Sequence, residues 1–161
     1  HKRSDIRWGD IHFQKEPYEK WDAYGQSKTA NALFALGLDM KHRDEGIRAF
    51  SVHPGGIRTP LQRHLTNEEM AAFGWTDEDG NLTEEAKARF KTPAQGASTT
   101  LWAATSPDLD GTGGLYCEDC DVAELATEDS PRYSGVAPWA VDEESALRLW
   151  TLSEEMVGST S

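Results

Sequence analysis

Tyr24 and Lys28 stand four residues apart in Tyr24-Gly25-Gln26-Ser27-Lys28, a spacing that places the phenol and the ammonium on one face of a helix. A free tyrosine titrates near pH ~10, and a fixed positive charge beside it favours the ionised form. The pair therefore reads as a general acid/base with a built-in electrostatic aid. Further along, His53-Pro54-Gly55-Gly56-Ile57-Arg58-Thr59 ends a short apolar run. Pro54 cannot continue a central ladder, and Gly55 and Gly56 let the backbone turn sharply and approach a ligand closely. His53 reads as a strand-end histidine packed beneath that turn, since Tyr24 already supplies a proton donor and acceptor.

Elements must hold these two groups. From about Asp22 to Arg43 the pattern is helical, with Leu33, Leu36, Gly37 and Met40 on one face and Ala30, Phe34 and Leu38 making the middle apolar nearly all round. Such a helix needs burial on two sides, against a sheet and against another element or a second subunit. A strand is predicted over 47–52. Thr66-Asn67-Glu68-Glu69 has capping-box spacing and predicts a short helix. Further helices are predicted over 84–90, about 94–105 and about 142–157, the last capped by Asp142 and closed by Gly158, with a second strand over 114–117. The glycines at 111, 113 and 114 precede that strand, whereas a dinucleotide phosphate loop follows one, so they read as a turn. Residues 1–20 and 121–134 read as polar loops.

The wider string Tyr24 to Asn31, the strand ending at Val52 and the P-G-x-x-x-T of Pro54, Gly55 and Thr59 together resemble the C-terminal half of the short-chain dehydrogenase/reductases. Within that family the chain is most similar to the retinol-dehydrogenase-like branch, where a segment like Ile11-His12-Phe13 precedes the tyrosine. The resemblance implies an α/β fold: the C-terminal part of a doubly wound, Rossmann-type parallel sheet in three layers. It implies hydride transfer between NAD or NADP and a carbonyl or alcohol. Tyr24 would be the acid/base and would also contact the cofactor. Lys28 would assist it and bind the nicotinamide ribose. Pro54, Gly55 and Gly56 would shape the cofactor turn, with Ile57 backbone and the Thr59 hydroxyl holding the carboxamide and phosphates. Residues 61–90 would be a substrate lid, whose Leu65, Phe73 and Trp75 suggest an apolar substrate.

What the family has and these residues lack is equally informative. Two strands are too few for a self-sufficient doubly wound sheet, and no glycine-rich strand-turn-helix occurs near the start, so the dinucleotide-binding half is expected to lie outside this chain. Ser4 is the serine upstream of Tyr24, but no apolar strand supports it. The branch pattern makes His1 the tail of a Ser-Ser-x-x-His motif and puts the catalytic serine before it. Two other readings stay open: an interaction module or inactive remnant that pairs through Ala30 to Leu38, and an epimerase or dehydratase using the same Tyr/Lys pair.

Composition narrows the partners. The 161 residues carry a formal charge of -12, which repels nucleic-acid backbones and anionic membrane surfaces. No stretch approaches the ~18 consecutive apolar residues of a spanning helix, so a cytoplasmic enzyme is expected. Cys117 and Cys120 lack further ligands at zinc spacing and read as two reduced thiols beside a strand. The acidic run Asp77 to Asn81 misplaces the glycine of a calcium loop and reads as an exposed turn, so no metal is expected.

Overall fold

In the computed structural model, residues 1–131 and 133–158 are described. Helix α1 (Lys20–His42) leads to strand β1 (Phe50–His53), the short helices α2 (Asn67–Ala72) and α3 (Glu84–Arg89), helix α4 (Pro93–Thr105), strands β2 (Leu115–Glu118) and β3 (Asp121–Val122), and helix α5 (Glu143–Val157). The sheet order is β1-β2-β3, with β1 and β2 parallel and β3 antiparallel to β2. Pairing of Phe50 with Leu115 and of His53 with Glu118 sets the parallel register. Helix α4 is the crossover between the two parallel strands.

Helices cover both faces of the sheet. Adjacent residues of a strand point to opposite faces, and Tyr116 and Cys117 show it. Tyr116 packs with Ala32 of α1 and with Val136, Ala137 and Ala140, while Cys117 packs with Ala103 of α4 and with Leu109. On its far side α1 meets α5. Leu33 is fully buried with Ile6, Ala146 and Leu149, and at Gly37 an added Cβ would lie 3.2 Å from the Ala146 carbonyl oxygen, so the missing side chain permits the crossing. The second side that α1 needs is thus supplied by its own chain. Phe34 stacks on Trp150 at 5.3 Å between ring centroids yet remains about half exposed.

Several elements differ from the sequence-based expectation. The strand over 47–52 starts only at Phe50, because Arg48 and the Ala49 amide are held by the Asp39 carboxylate. Within the polar stretch 121–134, Asp121 and Val122 form β3, joined to β2 by a two-residue turn in which Asp119 (φ 51°) and Cys120 (φ 61°) are both left-handed. That hairpin explains the cysteine spacing: Cys117 is buried on the strand, Cys120 is exposed in the turn, and both are free thiols. The opening segment contains turns, as expected, but it also delivers Ile6 to the core.

Among the described residues, no helix is long and apolar enough to cross a membrane, and no group of three or more His, Cys, Asp or Glu is placed to hold a metal ion.

Candidate active site

Helix α1 starts earlier than its apolar pattern suggests. The Glu19 carboxylate accepts from the amides of Trp21 at 3.1 Å and Asp22 at 2.9 Å, so the helix begins at Lys20 and Tyr24 falls in its second turn. One turn on, the Lys28 ammonium lies 5.3 Å from the centre of the Tyr24 ring. The pair is brought together as its spacing predicts, and both side chains face solvent, Tyr24 with 54% of its surface exposed. Between them, Gly25 lies beneath Ser4: a Cβ there would sit 3.0 Å from the Ser4 amide nitrogen. Ser4 itself turns its hydroxyl to the Asp5 carbonyl at 2.8 Å.

The second group lies where β1 ends. Gly55 has φ +84°, in the left-handed region, and the Lys91 side chain crosses its Cα so closely that a Cβ would meet the Lys91 Cδ at 2.8 Å. Lys91 continues to an ion pair with Asp119 at the β2–β3 turn, and its amide donates to the Gly56 carbonyl at 2.8 Å. Gly55→Ala should therefore destabilise the complete protein by about 1–2 kcal/mol through the left-handed backbone alone. Urea unfolding measures this; an unchanged midpoint would show that the turn can relax.

Gln62 lies outside the motifs that mark the site in the sequence, yet it holds this turn together. Its side-chain oxygen accepts from the Thr59 amide at 2.7 Å, and its nitrogen donates to the Ile57 carbonyl at 2.8 Å. The signal was present as Thr59-Pro60-Leu61-Gln62, a capping box with proline at the first helical position, and the structure forms that box at a short 3-10 helix, Pro60–His64. Thr59 is thereby fixed at the mouth of the turn with its hydroxyl accepting from the Leu61 amide at 3.3 Å.

An aromatic chain connects the two groups. Trp21 meets Phe73 edge-on at 5.0 Å, Phe73 meets Trp75 at 5.0 Å, and Trp75 meets Phe90 at 5.4 Å. Phe90 in turn lies against Gly56, and Trp21 lies 6.2 Å from Tyr24. An ion pair between Lys20 and Glu69 adds a polar tie, with Glu69 also accepting from the Thr66 amide at 3.0 Å to complete the predicted capping box. The segment 61–90 is thus fastened through Glu69 and Phe73 to the helix of Tyr24 and through Phe90 to the glycine turn. The acidic run within it closes on itself, the Asp77 carboxylate accepting from the amides of Asp79 and Asn81 at 3.0 and 2.8 Å.

Charge at the strand ends is balanced within the fold. Burial lowers the His53 pKa against the opposing pull of Glu118 and Asp119, which keeps the imidazole neutral at neutral pH; its Nδ1 lies 3.8 Å from a Glu118 oxygen. Burial also pushes the Tyr116 phenol well above its ordinary value, with smaller contributions from Glu118 and Tyr24. His53 is the last residue of β1, the strand-end place its sequence position suggests.

No protein-family model matches the chain. Whole-chain comparison does find relatives. A protein of Streptomyces lividans named "Probable oxidoreductase" is 42% identical over 93% of this chain and 50% of its own length. A short-chain dehydrogenase/reductase of Penicillium rubens is 37% identical over 98% of this chain and 44% of its own. Retinol dehydrogenase 14 of Homo sapiens is 34% identical over 94% and 41%. The chain spans about half the length of these relatives. Among solved structures, an uncharacterized protein from Mycobacterium paratuberculosis superposes with a TM-score of 0.50 at 23% identity, covering 97% of this chain and 46% of the other, a likeness of fold.

Proposed function

We propose, from the premise that this chain is a homologue of the short-chain dehydrogenase/reductases over about half their length, that it forms the C-terminal part of a single Rossmann-type domain in an NAD- or NADP-dependent oxidoreductase. The observation that carries the proposal is the Tyr24/Lys28 pair, side by side and open to solvent on α1, tied by a run of aromatic rings to the glycine turn that leaves the C-terminal end of a parallel strand. Open α/β sheets bind their ligands outside the carboxyl ends of the strands. An active-site pair so exposed is consistent with a partner half of the domain that lies over it.

The nicotinamide, when bound, supplies or accepts the hydride. Lys28 would hydrogen-bond its ribose, the Ile57 backbone and the Thr59 hydroxyl would take its carboxamide and neighbouring phosphates, and Pro54, Gly55 and Gly56 would shape the surface they present. The donor set suits that role: an exposed ammonium, a hydroxyl pinned at a turn, and backbone held in place by Gln62. Tyr24 gives its proton to the carbonyl oxygen in reduction and takes the alcohol proton in oxidation, and the Lys28 ammonium stabilises the negative charge left on the phenolate. Trp21 beside Tyr24, continued by the rings of Phe73 and Trp75, favours an apolar carbonyl or alcohol. Pairing of two copies through α1, where Phe34 is half exposed, and a cytoplasmic setting, which two unpaired cysteines favour, belong to the same proposal.

The test uses the complete gene product. NADH or NADPH emission should shift or quench on binding, and absorbance at the reduced-nicotinamide band should fall when an apolar aldehyde or ketone is added. Unchanged emission with both cofactors would sink the proposal.

A further inference from the structure

Tyr116 is a nearly fully buried phenol whose hydroxyl meets the His1 ring, Oη to Nδ1 at 3.3 Å with ring centroids 4.7 Å apart. A buried phenol held in its protonated form is a donor, so Nδ1 of His1 accepts and Nε2 carries the hydrogen. That Nε2 faces the Gly135 carbonyl at 3.3 Å, the partner this tautomer requires. From Gly135 the network continues: its amide donates to Glu118 at 2.6 Å, and the other Glu118 oxygen faces His53, the residue before Pro54. Towards α1, the His1 carbonyl accepts from the Trp139 indole at 3.1 Å and lies 3.3 Å from the Thr29 hydroxyl, whose single hydrogen goes to the Ser4 carbonyl at 2.7 Å. Thr29 is fully buried and directly follows Lys28, and Ser4 lies on Gly25, directly after Tyr24.

We infer that Tyr116 and His1 are positioning residues that set the distance between the Tyr24/Lys28 turn of α1 and the glycine turn at the end of β1. The inference rests on the function proposed above. The aromatic chain through Trp21 and Phe73 joins these two groups along the outer, lid side; the Tyr116–His1–Gly135–Glu118 hydrogen bonds run along the side of the sheet and reach the glycine turn through the strand pairing of Glu118 with His53. Two independent ties constrain a spacing far better than one, and small misplacements of reacting groups are costly to rate while leaving binding intact. Neither residue touches substrate or cofactor in this scheme. Both act through Tyr24 and Lys28.

The test compares wild type, Tyr116→Phe, His1→Gln and the double variant in the complete protein. Phe keeps the ring packing against Ala32 and Val136, and His1→Gln changes a part-buried surface residue, so at least one variant should fold. Expected is a tenfold or greater fall in kcat with KM for cofactor and carbonyl within twofold and an unchanged melting temperature. The double variant should lose no more than the worse single one. Nitrogen NMR of His1 should show the Nε2–H tautomer in wild type and a mixture in Tyr116→Phe. Wild-type kcat in both single variants, or a loss that follows melting temperature or KM, overturns the positioning role. Tyr24→Phe separates this from a failure of the function itself: if Tyr24→Phe is inactive and Tyr116→Phe is not, only the positioning role falls, whereas wild-type turnover in Tyr24→Phe removes both.

Discussion

Tyr24→Phe in the complete protein is expected to lower kcat by about 10²- to 10⁴-fold, the range a positioned general acid/base contributes. The substitution removes one oxygen from a ring that is 54% exposed and packs edge-on to Trp21, so the fold has little to lose. Cofactor binding should persist, because Lys28 and residues 54–59 are untouched. KM should change little, since the proton moves only in the transition state, and an interaction made there alone lowers kcat and kcat/KM together. The measurement is steady-state reduction of an apolar carbonyl by NADH or NADPH, with a melting curve for each variant. Turnover within twofold of wild type would remove Tyr24 from the reaction.

The same assay separates the other readings. An epimerase or dehydratase on this scaffold would depend on Tyr24 equally but would show no net oxidation of added NADH or NADPH. A module that merely pairs through the middle of α1 would bind neither cofactor.

How far these features could be read in advance depended on how local their causes are. The Tyr24/Lys28 pair, the cap at Thr66 and the cap at Asp142 rest on contacts within one turn of helix, and the structure shows all three. The left-handed Gly158 at the end of α5 is similarly local. What sequence could not supply is long-range or atypical. Strand β3 is two residues long and is reached through Asp119-Cys120, both left-handed, where the readable signal would have been Asn-Gly. Glu19 caps α1 although glutamate is not among the favoured cap residues. Tyr116, His1 and Glu118 come together only because β1 and β2 pair in parallel and the loop at Gly135 folds back over their ends. No spacing rule links His1 to Tyr116. Gln62 is the intermediate case: its capping box is legible, but its hold on Ile57 is visible only once the turn at Gly55 is built.

Asp39→Ala should cost about 3–5 kcal/mol of stability, the penalty for breaking a buried ion pair from one side. Asp39 is only 3% exposed on the last turns of α1, and Arg48 grips both its oxygens, at 2.8 and 2.9 Å. The Ala49 amide adds a bond at 3.2 Å, the other Arg48 nitrogen reaches the Gly111 carbonyl at 2.6 Å, and the Gly114 amide donates to the Ala49 carbonyl at 2.7 Å. Gly113 abuts the Asp39 carboxylate so tightly that no Cβ could fit. The pair thereby joins the end of α1, the entry to β1 and the turn before β2, and with them the register that places His53 beside Glu118. Arg48 is 30% exposed, so water can partly solvate the stranded guanidinium and the lower end of the range is expected. The pH dependence has a definite sign. The Arg48 hydrogen bonds hold the Asp39 carboxyl below its ordinary range, so its stabilisation is complete above the unfolded value of about 3.9 and is lost as pH falls through the lower folded value. Urea unfolding should therefore give a constant difference between wild type and Asp39→Ala from pH 5 to 8, narrowing below pH 4. A difference that grows on acidification would show that Asp39 is not stabilised in its charged form. Replacing both partners, as Asp39→Leu with Arg48→Met, should recover much of the loss in stability, since a well-packed apolar pair can substitute for a buried ionic one. It should also leave the turn at 111–114 without its arginine tie, so the double variant separates global stability from strand register: amide exchange at Leu115 and Tyr116 should stay faster than in wild type even where the melting temperature is restored.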